Sequence, residues 1–223
     1  MTAKADLLQT RFHLNMDRIN GLVQLLVSHG PLKPTAVFGK SSGARADILR
    51  AIVVFLHATF EVAFRSHIPK SRRKLGFSSR TDLDKALRLS GIDAAPFRFL
   101  YPPLTQMAKR RNRIVHEADL LHGEPDEWGF ADDWQLIMWL MAVNAFYYQL
   151  RISLCTANMM ERTMFEKLRT AMTSHVAFGK QVRALPEVPR DLGIQALQDM
   201  VVTLQGTIST LNLDPRALIT DSG

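Results

Sequence analysis

Cysteine is the scarcest resource of this chain: Cys155 stands alone among 223 residues. One thiol cannot close an intramolecular disulfide or furnish a multi-cysteine zinc site, and such usage fits a reducing cytosol. Long apolar runs are missing as well. The strongest, Leu136 to Tyr148, is too short to span a bilayer and contains Asn144. The first residues, Met1-Thr2-Ala3-Lys4-Ala5-Asp6, lack the apolar core of a signal peptide. There is no phosphate-cradling glycine loop, no serine-hydrolase elbow and no zinc pattern. These absences lead to the expectation of a soluble, cytoplasmic protein with no membrane partner, no metal and no cofactor.

What is present is enough for a real core. With 47% hydrophobic and 22% charged residues, the chain suits one fairly large domain, or one domain with an appended element. Apolar positions recur at helical spacing almost throughout, and no alternating strand stands out, so the expected fold class is an all-α bundle. Leu7, Leu8, Phe12, Ile19, Leu22, Val23 and Leu26 define a first helix ending near Gly30-Pro31, followed by a loop from Pro34 to Gly43. A second helix places Ile48, Ile52, Phe55, Thr59 and Val62 on one face and stops before Pro69.

The run Lys70-Ser71-Arg72-Arg73-Lys74, with Gly76 and Ser78-Ser79, reads as an exposed basic insertion. Thr81 is the expected cap of a short helix ending at Gly91. Pro102-Pro103 opens a third main helix, which frays around Gly123-Glu124-Pro125. A long helix is expected from Asp132-Asp133 to about Met160, with a further helix through Phe165 and Leu168 continuing it, and Cys155 as a buried structural thiol. Residues 1–185 form the expected domain, and 186–223 a helical C-terminal extension after Pro186 and Pro189.

Charge is distributed unevenly. From Arg65 to Arg113 there are thirteen Lys/Arg against three acids, a net charge of +10, whereas Ile114 to Asp133 holds seven acids and no Lys or Arg. The whole protein is only +7, with a pI of about 9.9. Positive charge is therefore focused on the approach to His116, and a focused field of that sign attracts polyanions. The acids Glu117, Asp119, Glu124, Asp126 and Glu127 lack a metal-ligand pattern, so solvation is their simplest role, with a basic partner surface as the other.

At this charge boundary lies Lys109-Arg110-Arg111-Asn112-Arg113-Ile114-Val115-His116. RNA is cut without a metal when its own 2′-hydroxyl attacks the adjacent phosphate. A histidine can take up or deliver the protons, an arginine holds the charged phosphate oxygens, and an amide orients either partner. Asn112 and His116 are four apart and share a helix face; Arg111 is five from His116 and lies well around the cylinder. Spacing alone has little weight. Arginine followed by histidine after four to six residues is expected about 1.8 times by chance with 19 Arg and 7 His in the chain, and Arg50 with His57 also satisfies it. His57 fits a packed helix residue better than a catalytic one. Trp134 and Trp139 fit the core or a dimer interface better than base stacking, and Trp128 is a weaker stacking candidate.

The segment Arg111-Asn112-Arg113-Ile114-Val115-His116 resembles the Arg-polar-x-x-x-His signature of HEPN domains. Ile48-Leu49-Arg50-Ala51-Ile52-Val53-Val54-Phe55-Leu56-His57-Ala58-Thr59-Phe60-Glu61 is similar to the matching early helix, in particular of the RiboL-PSP-HEPN branch. The resemblance spans roughly residues 47–154. It implies a HEPN-like helical bundle that pairs as a homodimer and brings two signature segments into one cleft, in a family rich in metal-independent endoribonucleases acting as toxins or in antiviral defence.

Carried onto this chain, the resemblance makes Arg111 the phosphate-binding group, His116 the proton-handling group and Asn112 their support. Glu61, at the acidic position of the early helix, would hold Arg111 or His116. Lys109, Arg110 and Arg113 would meet the RNA backbone, with Arg72, Arg73 and Lys74 as a further phosphate grip. The expected partners are RNA, a second copy, and an antitoxin or regulatory protein. The alternatives are a non-catalytic module of the same family that binds RNA, nucleotide or protein, and a helical interaction protein docking an acidic partner.

Overall fold

A computed structural model describes residues 3–28, 43–67, 76–116, 120–121, 124–125 and 130–183. The loop from Pro34, the basic run Arg72-Arg73-Lys74, Trp128 and the extension from 186 onward lie outside the described residues, as do the side chains of the acidic stretch 117–133. The architecture is all-α. Six α-helices are described: α1 (Ala3–Ser28), α2 (Gly43–Arg65), α3 (Arg80–Leu89), α4 (Tyr101–His116), α5 (Phe130–Ser153) and α6 (Met159–Arg183). A 3-10 turn, Ala95–Leu100, leads into α4. A two-residue antiparallel pairing sets Leu120 opposite Pro125 and Leu121 opposite Glu124, a ladder too short to alter the class.

The helices bury the stripes that their periodicity requires. On α1 these are Phe12, Met16, Ile19, Val23 and Leu26, three or four residues apart. On α2 the buried face is Leu49, Ile52, Val53, Leu56, Phe60 and Phe64, whereas Phe55 is 58% and Val62 49% exposed. The face expected from the sequence is thus turned by about one position. The cause is that α2 is apolar on most sides, so periodicity leaves its phase undetermined.

The interior is tied together by Phe146 of α5, whose ring centre lies 5.0 Å from Phe60, 5.1 Å from Phe64 and 4.9 Å from Phe97. Such aromatic pairs add roughly 0.5–1.5 kcal/mol each beyond the area they bury. They fix α2 against α5 and the 3-10 turn, and so hold α4, which packs on both α2 and α5.

Three local expectations are corrected. The cap of α3 is Ser79, not Thr81: its Oγ accepts from the Asp82 amide at 3.1 Å and donates to the Asp82 carboxylate at 2.6 Å. The helix does end as glycine predicts. Gly91 adopts φ +74°, and the Ile92 amide closes on the Leu87 carbonyl at 3.0 Å. The long C-terminal helix is two helices: α5 stops at Ser153, and α6 packs back along it. At the reversal Cys155 takes a left-handed φ of 56° and is exposed, so it is not a buried thiol. Asn158 and Glu161 then cap α6 reciprocally, at 2.8 and 2.9 Å.

Candidate active site

The two segments that carry the resemblance lie some fifty residues apart in sequence and meet in space because α2 packs on α4. Arg111 of α4 is half-buried and close enough to His57 of α2 to disfavour protonation of its imidazole. Burial is the main reason His57 is held below the usual histidine range. Glu61 opposes that shift, while Arg111 and Arg65 add to it. His57 is 5% exposed and its ring meets Phe60 edge-on, as expected of a packed helix residue. It nevertheless shares an electrostatic neighbourhood with Arg111.

Glu61 engages Arg65, one turn along its own helix, at 3.4 Å, instead of Arg111 or His116. Arg65 in turn lies over the Phe77 ring, 4.8 Å from its centre. Arg111 donates from Nη1 to Asn112 Oδ1 at 3.1 Å, the polar position of the signature serving as its immediate tether.

His116 is the last residue of α4 and is exposed. The helix is regular from Tyr101 to His116, so Arg111 and His116 project about 140° apart and about 7.5 Å along the axis. Arg111 faces α2. His116 shares the other side of α4 with Asn112, Arg113 and Lys109, at helical spacings of four, three and seven. A single chain therefore holds the phosphate-binding and proton-handling candidates on different faces.

On that second side, α4 and α5 enclose an open cleft of about 570 Å³ lined by Gln106, Lys109, Arg110, Asn112, Arg113, Gln135 and Trp139. Arg110, expected on the RNA backbone, is only 6% exposed and lines this cleft. Gln106 and Gln135 were not anticipated, and Trp139 was expected in the core or a dimer interface. The signal for Gln106 was its register with Lys109, Arg110 and Arg113 on one helix; Gln135 and Trp139 are one turn apart on α5. Trp139 is 3% exposed and Trp134 8%, the latter stacked on His175 with ring centres 3.5 Å apart, so neither ring is open to a base.

No group of three or more potential metal ligands gathers among the described residues. Nor is any helix among them long and apolar enough to cross a membrane. Compared with known proteins, the chain matches no family model, no curated protein and no solved structure.

Proposed function

We propose that this protein is a HEPN-type endoribonuclease that cuts RNA through its 2′-hydroxyl without a divalent metal, as the effector of a toxin–antitoxin or antiviral system. The observation that carries the reading is the packing of α2 on α4. It brings Arg111 of the signature into the electrostatic neighbourhood of His57 on the early helix, joining the two stretches whose residues resemble the family.

In this reading the 2′-oxygen attacks the adjacent phosphorus, and the bond to the 5′-oxygen breaks. A 2′,3′-cyclic phosphate and a 5′-hydroxyl result. Arg111 holds the non-bridging oxygens as charge builds on them. His116 handles a proton, either accepting it from the 2′-hydroxyl or delivering it to the leaving oxygen. Asn112 keeps the guanidinium in place.

The divergence of Arg111 and His116 makes a second copy part of the site, so that the arginine of one protomer works with the histidine of the other. Ala51, Phe55, Ala58 and Val62 supply a surface for that pairing. They form a stripe at helical spacing on α2, two of them large exposed hydrophobics. Val115, beside His116, is 49% exposed as well.

The test is the chemistry of the ends. RNA incubated with the protein in chelator should yield 2′,3′-cyclic phosphate and 5′-hydroxyl termini. Products with 3′-hydroxyl and 5′-phosphate termini, or no products without magnesium, would overturn the proposal.

One observation favours the second reading, a non-catalytic RNA- or nucleotide-binding module of this family. One Arg111 donor is already engaged by Asn112, and Arg111 lies on a different face from His116. That reading predicts salt-dependent RNA binding that survives His116→Ala, with no cleavage.

A further inference from the structure

A separate group of cations gathers at the other end of α4, where α3 and the 3-10 turn meet its first residue, Tyr101. Arg80, Lys85 and Arg88 of α3 and Arg98 of the 3-10 turn line one open groove of about 670 Å³. All four are exposed, the side chains of Arg88 and Arg98 to 64% and 53%. Asp84 is the one acid among the described residues lining the groove, and its carboxylate is already shared. Arg88 Nε lies 2.6 Å from one oxygen and Arg98 Nε 4.0 Å from the other, and the Tyr101 hydroxyl donates to it at 3.4 Å. The acids next in sequence are engaged elsewhere, Asp82 with Ser79 and Asp93 with the Ala95 amide. Among the described residues no carboxylate pairs with Arg80 or Lys85, so the groove carries +3.

Arg80 also stands against local preference. It is the first residue of α3, where the partial positive charge of the helix N-terminus disfavours a cation. Burial and then Asp84 push the Tyr101 hydroxyl up to about 12, whereas Arg98 and Arg80 both act in the opposite direction, so the two guanidiniums share one neighbourhood. No described residue lining the groove is aromatic, and its one carboxylate is occupied. Exposed, charged donors without a stacking surface suit a run of phosphates and not a nucleobase.

We propose that this groove is an exosite that grips the backbone phosphates of an RNA strand whose scissile bond lies at the far end of α4. The choice of RNA rests on the ribonuclease reading; the phosphate chemistry of the groove does not. At about 1.5 Å per residue, Tyr101 lies about 15 Å from Arg111 and about 22 Å from His116 along the helix. A strand held at both places binds more tightly without being cut faster once bound, so the groove acts on KM and not on kcat.

The experiment measures binding separately from cleavage. A fluorescent 2′-O-methyl oligoribonucleotide of about 20 nucleotides, which cannot be cut through its 2′-oxygen, is titrated by anisotropy against the full chain over a range of salt. The double variant Arg80→Ala with Lys85→Ala should bind about ten-fold more weakly and lower the salt slope by about 1.4, two single-strand phosphate contacts at about 0.7 each. Its melting temperature should hold or rise, because both positions are exposed and alanine favours the helix. Arg11→Ala with Arg18→Ala, on exposed positions of α1, removes the same charge and should stay within about two-fold. With cleavable RNA of the same length, the groove variant should raise KM about ten-fold at unchanged kcat. A dinucleotide, too short to reach the groove, should be cut equally well by wild type and variant.

The exosite is refuted if the α1 variant weakens binding as much, if the groove variant binds long RNA normally, or if dinucleotide cleavage falls in parallel. Tripolyphosphate binding that depends on Arg80 and Lys85, with RNA binding unchanged, would assign the groove to a free polyphosphate instead. A groove variant that binds RNA normally but shifts the monomer–dimer balance in sedimentation would assign it to an acidic surface of a second copy. Groove-dependent RNA binding in a protein that cuts no RNA would sink the ribonuclease reading and leave the phosphate grip standing.

Discussion

Arg111 Nη1 donates to Asn112 Oδ1 at 3.1 Å, so the first two positions of the signature are joined to each other before either meets a ligand. Asn112→Ala should leave the guanidinium untethered and slow single-turnover RNA cleavage about ten-fold. Asn112→Asp should be slower still, because a carboxylate beside Arg111 competes with the phosphate for its charge. If the near-isosteric aspartate is the milder change, Asn112 serves packing and not positioning.

The proposed pairing through α2 makes a prediction about mixtures. Phe55→Lys, at a position 58% exposed, should convert dimer to monomer in sedimentation and abolish cleavage while barely altering the melting temperature. Mixing inactive Arg111→Ala with inactive His116→Ala should restore about a quarter of wild-type activity, since half of the random dimers carry one intact composite site. A mixture as dead as its components would place both residues in one subunit's site.

The hairpin of α5 and α6 rests on a buried ion pair. Arg151 Nε lies 2.6 Å from Glu161 Oε1, with side chains 4% and 0% exposed. Glu161 also caps α6, and Arg151 Nη2 donates to the Thr156 carbonyl at 3.0 Å. Glu161→Ala leaves a buried guanidinium uncompensated and should cost about 3–5 kcal/mol in denaturant unfolding. The double change Arg151→Met with Glu161→Leu should cost less than Glu161→Ala alone, because no charge is stranded. A double variant less stable than the single one would contradict this.

Three histidines make folding sensitive to acid. Burial, helped by Arg151, lowers His13 to about 4; burial lowers His175 to about 4 against the opposing bond to the Trp134 carbonyl; and burial lowers His57. A histidine depressed in the folded state binds protons more readily when unfolded. Its contribution is complete above the unfolded value of about 6.5 and is lost as pH falls towards the folded value. The melting temperature should therefore drop between pH 6.5 and 4, and His13→Gln should flatten that slope. An unchanged slope in His13→Gln would show that this ring does not contribute.

How far the sequence could be read depends on where the information lies. Helical spacing made α1 and α4 legible, and Gly91 correctly marked the end of α3. The buried face of α2 was not legible, because Val53, Val54, Phe55 and Leu56 are apolar on every side and tertiary packing chose among them. The reversal after Ser153 was hidden because Cys155, and neither glycine nor proline, takes the left-handed position. Yet Asn158 followed by Glu161 three residues later is a capping box, a start signal present in the sequence. At the candidate site, the Arg111-to-His116 segment stood out through its resemblance. That Glu61 pairs with Arg65, and that Trp139 borders a cleft with Lys109, Arg110 and Arg113, could be learned only from the packing of α4 against α2 and α5.

The account stands most directly on one measurement: digestion of a mixed RNA in chelator by wild type, Arg111→Ala and His116→Ala at equal concentration, each checked for folding by its melting curve. We expect wild type to cut, and each variant to lose at least about 100-fold in rate while remaining folded. Three proteins that behave alike, whether all cutting or all inert, would contradict the central claim.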